Sequence, residues 1–122
     1  MIFKKKIHLY KTSIIIVDGL DNLEITHKKM KAKKDKYFVH FDGDDSFLLQ
    51  QVKDGLFISV PYECYFLFYG EVFYFDEKDK ERAIKELKKE MLHNLKSQMD
   101  YLKEKEEFIR YCNLRLSQVF LK

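Results

Sequence analysis

The C-terminal stretch DEKDKERAIKELKKEMLHNLKSQMDYLKEKEEFIRYCNLRLSQVFL, residues 76–121, decides how this chain folds. From Glu71 to the C-terminus the sequence contains neither glycine nor proline, and apolar residues return at helical spacing. The stretch therefore predicts one very long helix or two shorter helices. An interrupted heptad seam runs along it. We predict that six residues of this seam form a helix interface: Met91, Leu95, Leu102, Ile109, Leu116 and Val119.

The length of the helical stretch matters for the architecture. A continuous helix over residues 80–121 would be about 63 Å long, whereas a β domain of this size is about 30 Å across. Either the helix breaks near the polar residues 103–107 and folds back, or its distal half packs against another chain. We favour the second arrangement, a homodimer through the C-terminal helix, because turn-forming residues are missing from 103–107.

The first 75 residues have the pattern of an antiparallel β domain. Runs rich in Val, Ile, Phe and Tyr alternate with turn signals, and all four glycines lie at such signals. In the first run Ile7 and Leu9 lie on one side, with Lys4, Lys6 and His8 on the other. Hairpin turns are predicted at Lys53-Asp54-Gly55 and at Gly70-Glu71. About seven short strands favour a closed or bent sheet, because an open one would expose long edges.

The predicted fold class is therefore α+β. A small antiparallel β barrel or bent sheet occupies residues 1–75, and a long C-terminal helix, or a helical hairpin, occupies residues 76–122. The chain has no apolar run long enough to span a bilayer, and its N-terminus lacks the apolar core of a signal peptide. We expect a cytoplasmic protein without a membrane partner.

Charge is distributed unevenly along the chain, although the formal net charge is +3. Residues 1–36 carry ten lysines against four acids, and residues 37–79 carry two lysines against nine acids. Residues 80–122 carry eleven Lys or Arg against seven acids. This segregation predicts either that the segments neutralise one another in the fold or that a basic face binds an anionic partner.

Six lysines within residues 28–36 are the most unusual local feature. They are Lys28, Lys29, Lys31, Lys33, Lys34 and Lys36, and we predict that they lie at or near the tip of a hairpin. A flexible basic tip can follow a phosphate backbone, and His27, Tyr37 and His40 can add stacking or hydrogen bonds. The alternative is a solvated hairpin, or one that contacts the acidic middle segment. The cluster has no arginine, the usual residue for bidentate base recognition.

Motifs of catalysis and metal binding are not found in the sequence. It has no glycine-rich phosphate loop and no nucleophile elbow, so neither a catalytic residue nor a cofactor is predicted. Asp42, Asp44 and Asp45 fail the EF-hand pattern, and the histidines lack zinc-ligand spacing, so no metal site is predicted. The aromatic-rich strands instead predict that some of four tyrosines are exposed and suited to a protein interface: Tyr62, Tyr65, Tyr69 and Tyr74.

One resemblance concerns the layout of the chain. A β-rich start leads to the strand EVFYF (residues 71–75) and then to DEKDKERA (residues 76–83), which opens a Lys/Glu-rich helix. This layout resembles small proteins of phages and mobile elements from AT-rich bacteria, over most of the chain. The resemblance implies an accessory protein that binds a host or phage protein, a class that includes inhibitors of host defence systems such as anti-CRISPR proteins. It transfers no catalytic or binding residue.

Two functional hypotheses follow. The first is a non-enzymatic, protein-binding accessory or regulatory protein, whose β domain presents a partner surface and whose C-terminal helix joins two copies or docks on the target. The alternative is a nucleic-acid-binding module that uses the lysine-rich hairpin at residues 28–36. Phosphate-dominated binding should weaken steeply with salt, whereas an aromatic protein interface should not.

Overall fold

The computed structural model describes residues 4–17, 23–41, 43, 45–63, 67–99 and 106–120. Within these ranges the chain forms six strands followed by two α-helices. In chain order they are β1 (Lys5–Val17), β2 (Leu23–Lys34), β3 (Phe38–Phe41), β4 (Ser46–Leu48), β5 (Leu56–Glu63), β6 (Leu67–Tyr74), α1 (Lys80–Met99) and α2 (Glu106–Ser117). Short 3₁₀ turns at Leu49–Gln51 and Glu77–Asp79 precede β5 and α1. The predicted α+β fold is confirmed.

The six strands form one antiparallel sheet in the order β4-β3-β2-β1-β6-β5. Its two edges approach each other, because Phe47 of β4 stacks on Phe57 of β5 with ring centroids 4.3 Å apart. A flat sheet would separate these edge strands by several strand spacings of about 4.8 Å each. The sheet is therefore curled into a half-barrel, which agrees with the predicted bent sheet. Side chains alternate between an inner face, inside the curl, and an outer face.

Each face of the sheet carries its own hydrophobic core. The inner core fills the curl and consists of Leu9, Met30, Ala32, Val39, Phe47 and Phe73. The outer core lies between the outer face and the helices, and it includes Ile14, Ile16, Phe68, Val72, Tyr74, Leu87, Met91, Leu95, Ile109 and Leu116. The helices cover β1 only from Tyr10 onward and β2 only at its start, near Leu23 and Ile25. The remaining outer face of β1 and β2 is exposed.

The helical segment is a helical hairpin rather than one continuous helix. α1 ends at Met99 and α2 begins at Glu106, on either side of residues that the structure does not describe. Lys88 Nζ lies 5.8 Å from the ring centroid of Phe120, whereas a continuous helix would separate these residues by about 48 Å. α2 therefore returns along α1. With 20 residues, α1 is about 30 Å long, roughly the width of the domain.

The fold-back corrects the expectation that the distal seam residues need a second chain. Ile109, Leu116 and Val119 are buried in the chain's own outer core, together with Met91 and Leu95. The argument for a homodimer through these residues fails, because α2 reaches the sheet within one chain. Predicted seam residue Leu102 lies outside the described residues. Of the described helices, none has both the length and the apolarity to cross a bilayer.

Two strand predictions are wrong. β1 is a single strand of 13 residues, longer than the short strands that the sequence predicts. The turn predicted at Gly70-Glu71 is also absent, since both residues lie inside β6. A Cβ atom on Gly70 would stand 2.7 Å from the Sδ atom of Met91, closer than packed atoms allow. Glycine is needed here because α1 packs directly on the backbone of β6.

The predicted turn at Lys53-Asp54-Gly55 is present, but the predicted hairpin is not, because the strands on either side of the turn, β4 and β5, lie at opposite edges of the sheet. Asp54 and Gly55 have positive φ angles of 55° and 79°, and they connect the paired residues Lys53 and Leu56. Positive φ at both central residues is what a type I′ hairpin turn requires. Asp76 caps the turn that leads into α1, because its side chain accepts a hydrogen bond of 3.0 Å from the backbone N–H of Lys78.

Candidate functional site

The predicted basic hairpin is a strand rather than a tip. β2 continues to Lys34 and pairs with β1 throughout, with His8 opposite Lys31 and Lys6 opposite Lys33. Five of the six predicted lysines lie in β2, and Lys36 lies in the turn to β3. The prediction of a flexible tip is therefore wrong. Its physical reason is that the N-terminal half of β1 supplies a partner strand for the lysine-rich segment.

The strand divides the lysines between the two faces of the sheet. Lys29, Lys31 and Lys33 lie on the outer face. Lys28 and Lys34 lie on the inner face, as do the core residues Met30 and Ala32 between them. The neighbouring strands extend the outer group. We define the basic outer face by seven residues: Lys4, Lys6, His8, Lys29, Lys31, Lys33 and His40.

A pocket of about 600 Å³ opens on the basic outer face. Its floor is formed by three residues that pair across β1, β2 and β3, namely Ile7, Ala32 and Phe41. Ala32 belongs to the inner core, and Ile7 and Phe41 pack against it. The charged or ionisable lining comes from the flanking positions, namely Lys4, Lys6, His8, Lys31, Lys33 and His40. Gly43, in the turn after β3, also lines it. Pockets that bind small molecules have volumes of about 300–1,000 Å³, so this pocket has the size of a small-molecule site.

Lysines face each other directly across the β1–β2 ladder. Lys6 is opposite Lys33 on the outer face, and Lys5 is opposite Lys34 on the inner face. Like charges in directly opposed positions destabilise an antiparallel pair. Among the described residues, no carboxylate forms an ion pair with these four lysines. The fold thus holds unneutralised positive charge on this ladder, and a bound anion would relieve the repulsion.

Asp35 fixes the turn between β2 and β3 and orients His40 at the pocket. Its Oδ1 accepts hydrogen bonds from the backbone N–H groups of Tyr37 at 2.8 Å and Phe38 at 2.7 Å. Its Oδ2 lies 2.8 Å from His40 Nε2. The hydrogen bond to His40, followed by those two backbone hydrogen bonds, lowers the pKa of Asp35 to about 2. An ionised Asp35 therefore holds one side of the pocket in place.

Acid should remove the stabilisation that Asp35 contributes to this turn. Because the pKa falls from 3.8 to about 2 on folding, the contribution is complete above pH 3.8 and is lost as the pH drops through 2. We expect the urea midpoints of wild type and Asp35→Asn to differ at neutral pH and to converge in acid, measured by circular dichroism. The control is Asp45→Asn, at an exposed carboxyl group in the next turn. A difference that stays constant down to the folded-state pKa would contradict the assignment.

The other end of the basic outer face adjoins an aromatic pair. Lys29 Nζ lies 5.9 Å from the ring centroid of Tyr10, which stacks on Tyr74 at 5.6 Å. Burial, and secondarily the charge of Lys80, lowers the pKa of His27 beside them. His27 is thus neutral at pH 7 and adds no charge to the face. The sequence suggests that His27 can add stacking or a hydrogen bond to a nucleic acid, and in the structure its Nδ1 lies 2.9 Å from Thr12 Oγ1.

Two aromatic side chains are exposed beside the pocket. Tyr37 and Phe38 keep 59% and 37% of their surface exposed. Phe38 shares the outer face with His40, and their ring centroids are 5.7 Å apart. Lys36 Nζ lies 5.5 Å from the ring centroid of Tyr37. Exposed rings next to lysines are the kind of surface on which unpaired bases stack.

The predicted tyrosine interface is not assembled by the described residues. Tyr74 is 2% exposed, and its hydroxyl lies 2.9 Å from Thr12 Oγ1 in the outer core. Tyr69 is half-buried, and its hydroxyl donates to Glu71 Oε2 at 2.7 Å. Tyr65 and the side chain of Tyr62 lie outside the described residues. The expected exposure of Tyr74 is wrong, because β6 is buried on both faces.

The sequence contains a signal for the part of the site that was missed. Lys29, Lys31 and Lys33 alternate with two small or apolar residues, Met30 and Ala32, which is the period of a half-buried strand. The same alternation in β1 places Lys4, Lys6 and His8 on one side. Pairing these two segments would have predicted one basic face. The missing information was the register, which brings Lys6 opposite Lys33.

No family model matches the chain, and no curated protein or solved structure matches it. The chemistry of the basic outer face therefore has to be inferred from its own residues. In the part of the chain that the structure describes, no three His, Cys, Asp or Glu side chains lie together as a metal ion would require. Asp42 and Asp44, which fail the calcium-loop pattern, lie outside that part.

Proposed function

We propose that the chain is a non-enzymatic, cytoplasmic nucleic-acid-binding protein that holds a single strand of DNA or RNA on the basic outer face. The observation that carries the proposal is the directly opposed pair Lys6 and Lys33, flanked by further lysines and without a described carboxylate partner. Such an arrangement costs stability in the free protein. A phosphate backbone between the lysines replaces the repulsion with charge-assisted hydrogen bonds.

The choice of a single strand rests on geometry. Successive outer-face lysines of β2 are roughly 6.7 Å apart, since every second residue points outward. This spacing suits an extended backbone, and the exposed rings of Tyr37 and Phe38 lie where unpaired bases can stack. The basic residues of the face are lysines and histidines rather than arginines. Lysine is a point charge, so we expect affinity for the backbone with little base preference.

The experiment compares two double lysine-to-glutamine variants, one on each face of the sheet. Lys6→Gln with Lys33→Gln removes the opposed pair from the outer face, and Lys5→Gln with Lys34→Gln removes the opposed pair on the inner face. We expect the outer variant to bind a labelled oligonucleotide about tenfold or more weakly. Its plot of log affinity against log salt should become shallower by about two. The inner variant should stay within about twofold of wild type, because its charges lie on the other side of the sheet.

Fluorescence anisotropy over a salt series measures both quantities, and circular dichroism checks that both variants fold. Equal losses in the two variants would mean that total charge, and not this face, drives binding. Unchanged affinity in the outer variant would contradict the proposal. A duplex of the same sequence serves as the comparison ligand, and tighter binding of the duplex would overturn the choice of a single strand.

Binding of a protein partner is the second candidate function, and two exposed apolar side chains on the C-terminal segment favour it. Leu114 and Phe120 keep 56% and 58% of their surface exposed. In this form the chain is an accessory protein of a phage or mobile element that inhibits a host defence system, as the layout resemblance implies. Added salt changes the affinity of apolar contacts little, whereas it strongly weakens binding through phosphate contacts. Partner binding that persists at high salt would therefore favour this candidate.

A further inference from the structure

The described lining of the pocket on the basic outer face carries more positive charge than one internal phosphate neutralises. Four lysines line the pocket, namely Lys4, Lys6, Lys31 and Lys33, and the described lining contains no carboxylate. A phosphodiester inside a nucleic-acid chain carries one negative charge. A terminal phosphate monoester carries about −1.5 to −2 at pH 7 and offers three acceptor oxygens. The lining therefore matches a phosphate monoester better than a diester.

The position of the pocket supports the same ligand group. It lies toward one end of the basic outer face, where Lys6 pairs with Lys33 and His8 pairs with Lys31. Gly43, in the turn after β3, lines a further side of it. A strand whose backbone follows Lys29 and then Lys31 along β2 therefore reaches this pocket. The opposite end of the face, near Tyr10, leads toward the start of α1.

One wall of the pocket is preorganised. His40 is 33% exposed at its side chain and is held by Asp35 through the 2.8 Å contact at Nε2. Asp35 is itself fixed by the backbone N–H groups of Tyr37 and Phe38. Because the turn fixes the imidazole before any ligand arrives, little side-chain entropy is lost on binding at this wall.

We propose that this pocket binds the terminal phosphate monoester of a nucleic-acid strand, so that the protein recognises phosphorylated ends. The inference rests on the proposed function, since the rest of the strand lies along Lys29 and Lys31. A free nucleotide carries the same chemical group. The experiment must therefore separate a strand end from a mononucleotide as the source of the phosphate.

The probes are one oligothymidylate made in three forms: with a 5′-phosphate, with a 3′-phosphate, and with hydroxyl groups at both ends. We expect one phosphorylated form to bind about tenfold more tightly than the hydroxyl form, the size of a charge-assisted contact to a doubly charged group. ADP, used as a competitor, should displace it only at concentrations far above those of the unlabelled oligonucleotide.

Two variants on the same strand and face give the matched control. Lys31 lines the pocket, whereas Lys29, the next outward residue of β2, lines a different cavity. Lys31→Gln should abolish the preference for the phosphorylated end. Lys29→Gln should weaken binding of all three oligonucleotides alike and leave the preference intact. Both substitutions are at exposed positions, so folding should be unaffected.

The outcomes separate this inference from the proposed function. Equal affinity for the phosphorylated and hydroxyl forms would overturn end recognition and leave strand binding standing. Tight, Lys31-dependent binding of ADP without oligonucleotide binding would overturn both, and would make the pocket a nucleotide site. A preference that survives Lys31→Gln would also overturn the inference, because the pocket would then not be its source.

Discussion

Replacing Ile109 and Leu116 by glutamate is expected to unfold the protein. Both side chains are buried in the outer core, at 1% and 0% exposure. Each glutamate must either bury a charge or become protonated at a cost, and substitutions of this kind destabilise by about 4 kcal/mol or more. Two such losses together are comparable to the total unfolding free energy of a typical domain, about 5–15 kcal/mol. Circular dichroism and urea denaturation of the double variant measure the effect.

The matched control places the same charges on the exposed side of the C-terminal segment. Leu114→Glu with Phe120→Glu changes two side chains that are more than half exposed. We expect this variant to keep its unfolding free energy within about 1 kcal/mol of wild type. If the Ile109 and Leu116 variant folded normally, the packing of α2 on the chain's own core would be contradicted.

The same pair of variants tests self-association. A homodimer through the buried seam would require α2 to leave its own core, whereas a homodimer through Leu114 and Phe120 would not. Sedimentation of the wild type gives its oligomeric state. Should the wild type be dimeric, the variant with glutamates at 114 and 120 separates an exposed contact from a buried one, because it stays folded.

The sequence predicts the existence and type of the helical elements better than their arrangement. Helical periodicity over residues 76–121 reports which residues face a core, and the predicted seam residues Met91, Leu95, Ile109 and Leu116 are indeed buried. Periodicity does not tell whether that core belongs to the same chain or is shared with a second chain. The decision between a fold-back and a second chain depends on the long-range contact between Lys88 and Phe120, which no local pattern encodes.

The β domain shows the same division between local and long-range information. The turn at Lys53-Asp54-Gly55 is predicted because its glycine stands where a three-residue connection needs a left-handed residue. Gly70 carries the same local signal yet lies inside β6. Its requirement for glycine comes from Met91 and Leu87 of α1, residues that are distant in sequence. A glycine used for a turn and a glycine used for close packing look alike until the helix is placed.

The sequence predicts the lysine content of the basic outer face but not the arrangement of its residues. The excess of lysine in residues 1–36 predicts either that the charged segments neutralise one another or that a basic face binds an anionic partner. The division of that charge between two faces follows from the strand period once β2 is known to extend to Lys34. The pocket follows from register, because the rung of Ile7, Ala32 and Phe41 forms its floor. Register is set by long-range pairing, so it was out of reach of the sequence alone.

Truncation of Phe73 is expected to cost about 3–5 kcal/mol of unfolding free energy. Its ring lies in the inner core, with centroids 4.9 Å from Phe41, 5.6 Å from Phe47 and 6.2 Å from Phe57. Phe73→Ala therefore removes contacts that hold the two edges of the curled sheet together. For a domain of this size the melting temperature should fall by more than 10 °C, at about 4 °C per kcal/mol. Urea and thermal denaturation measure both quantities.

The neighbouring residue tests whether β6 is buried on both faces. From sequence alternation Tyr74→Ala should cost little, but the structure buries Tyr74 in the outer core, so we expect a loss similar to that of Phe73→Ala. Tyr74→Phe removes just the hydroxyl contact to Thr12 and should cost about 1 kcal/mol. Half-buried Phe75 should lose less than either when truncated to alanine. A small loss in Tyr74→Ala together with a large one in Phe73→Ala would show that the helices do not cover this strand.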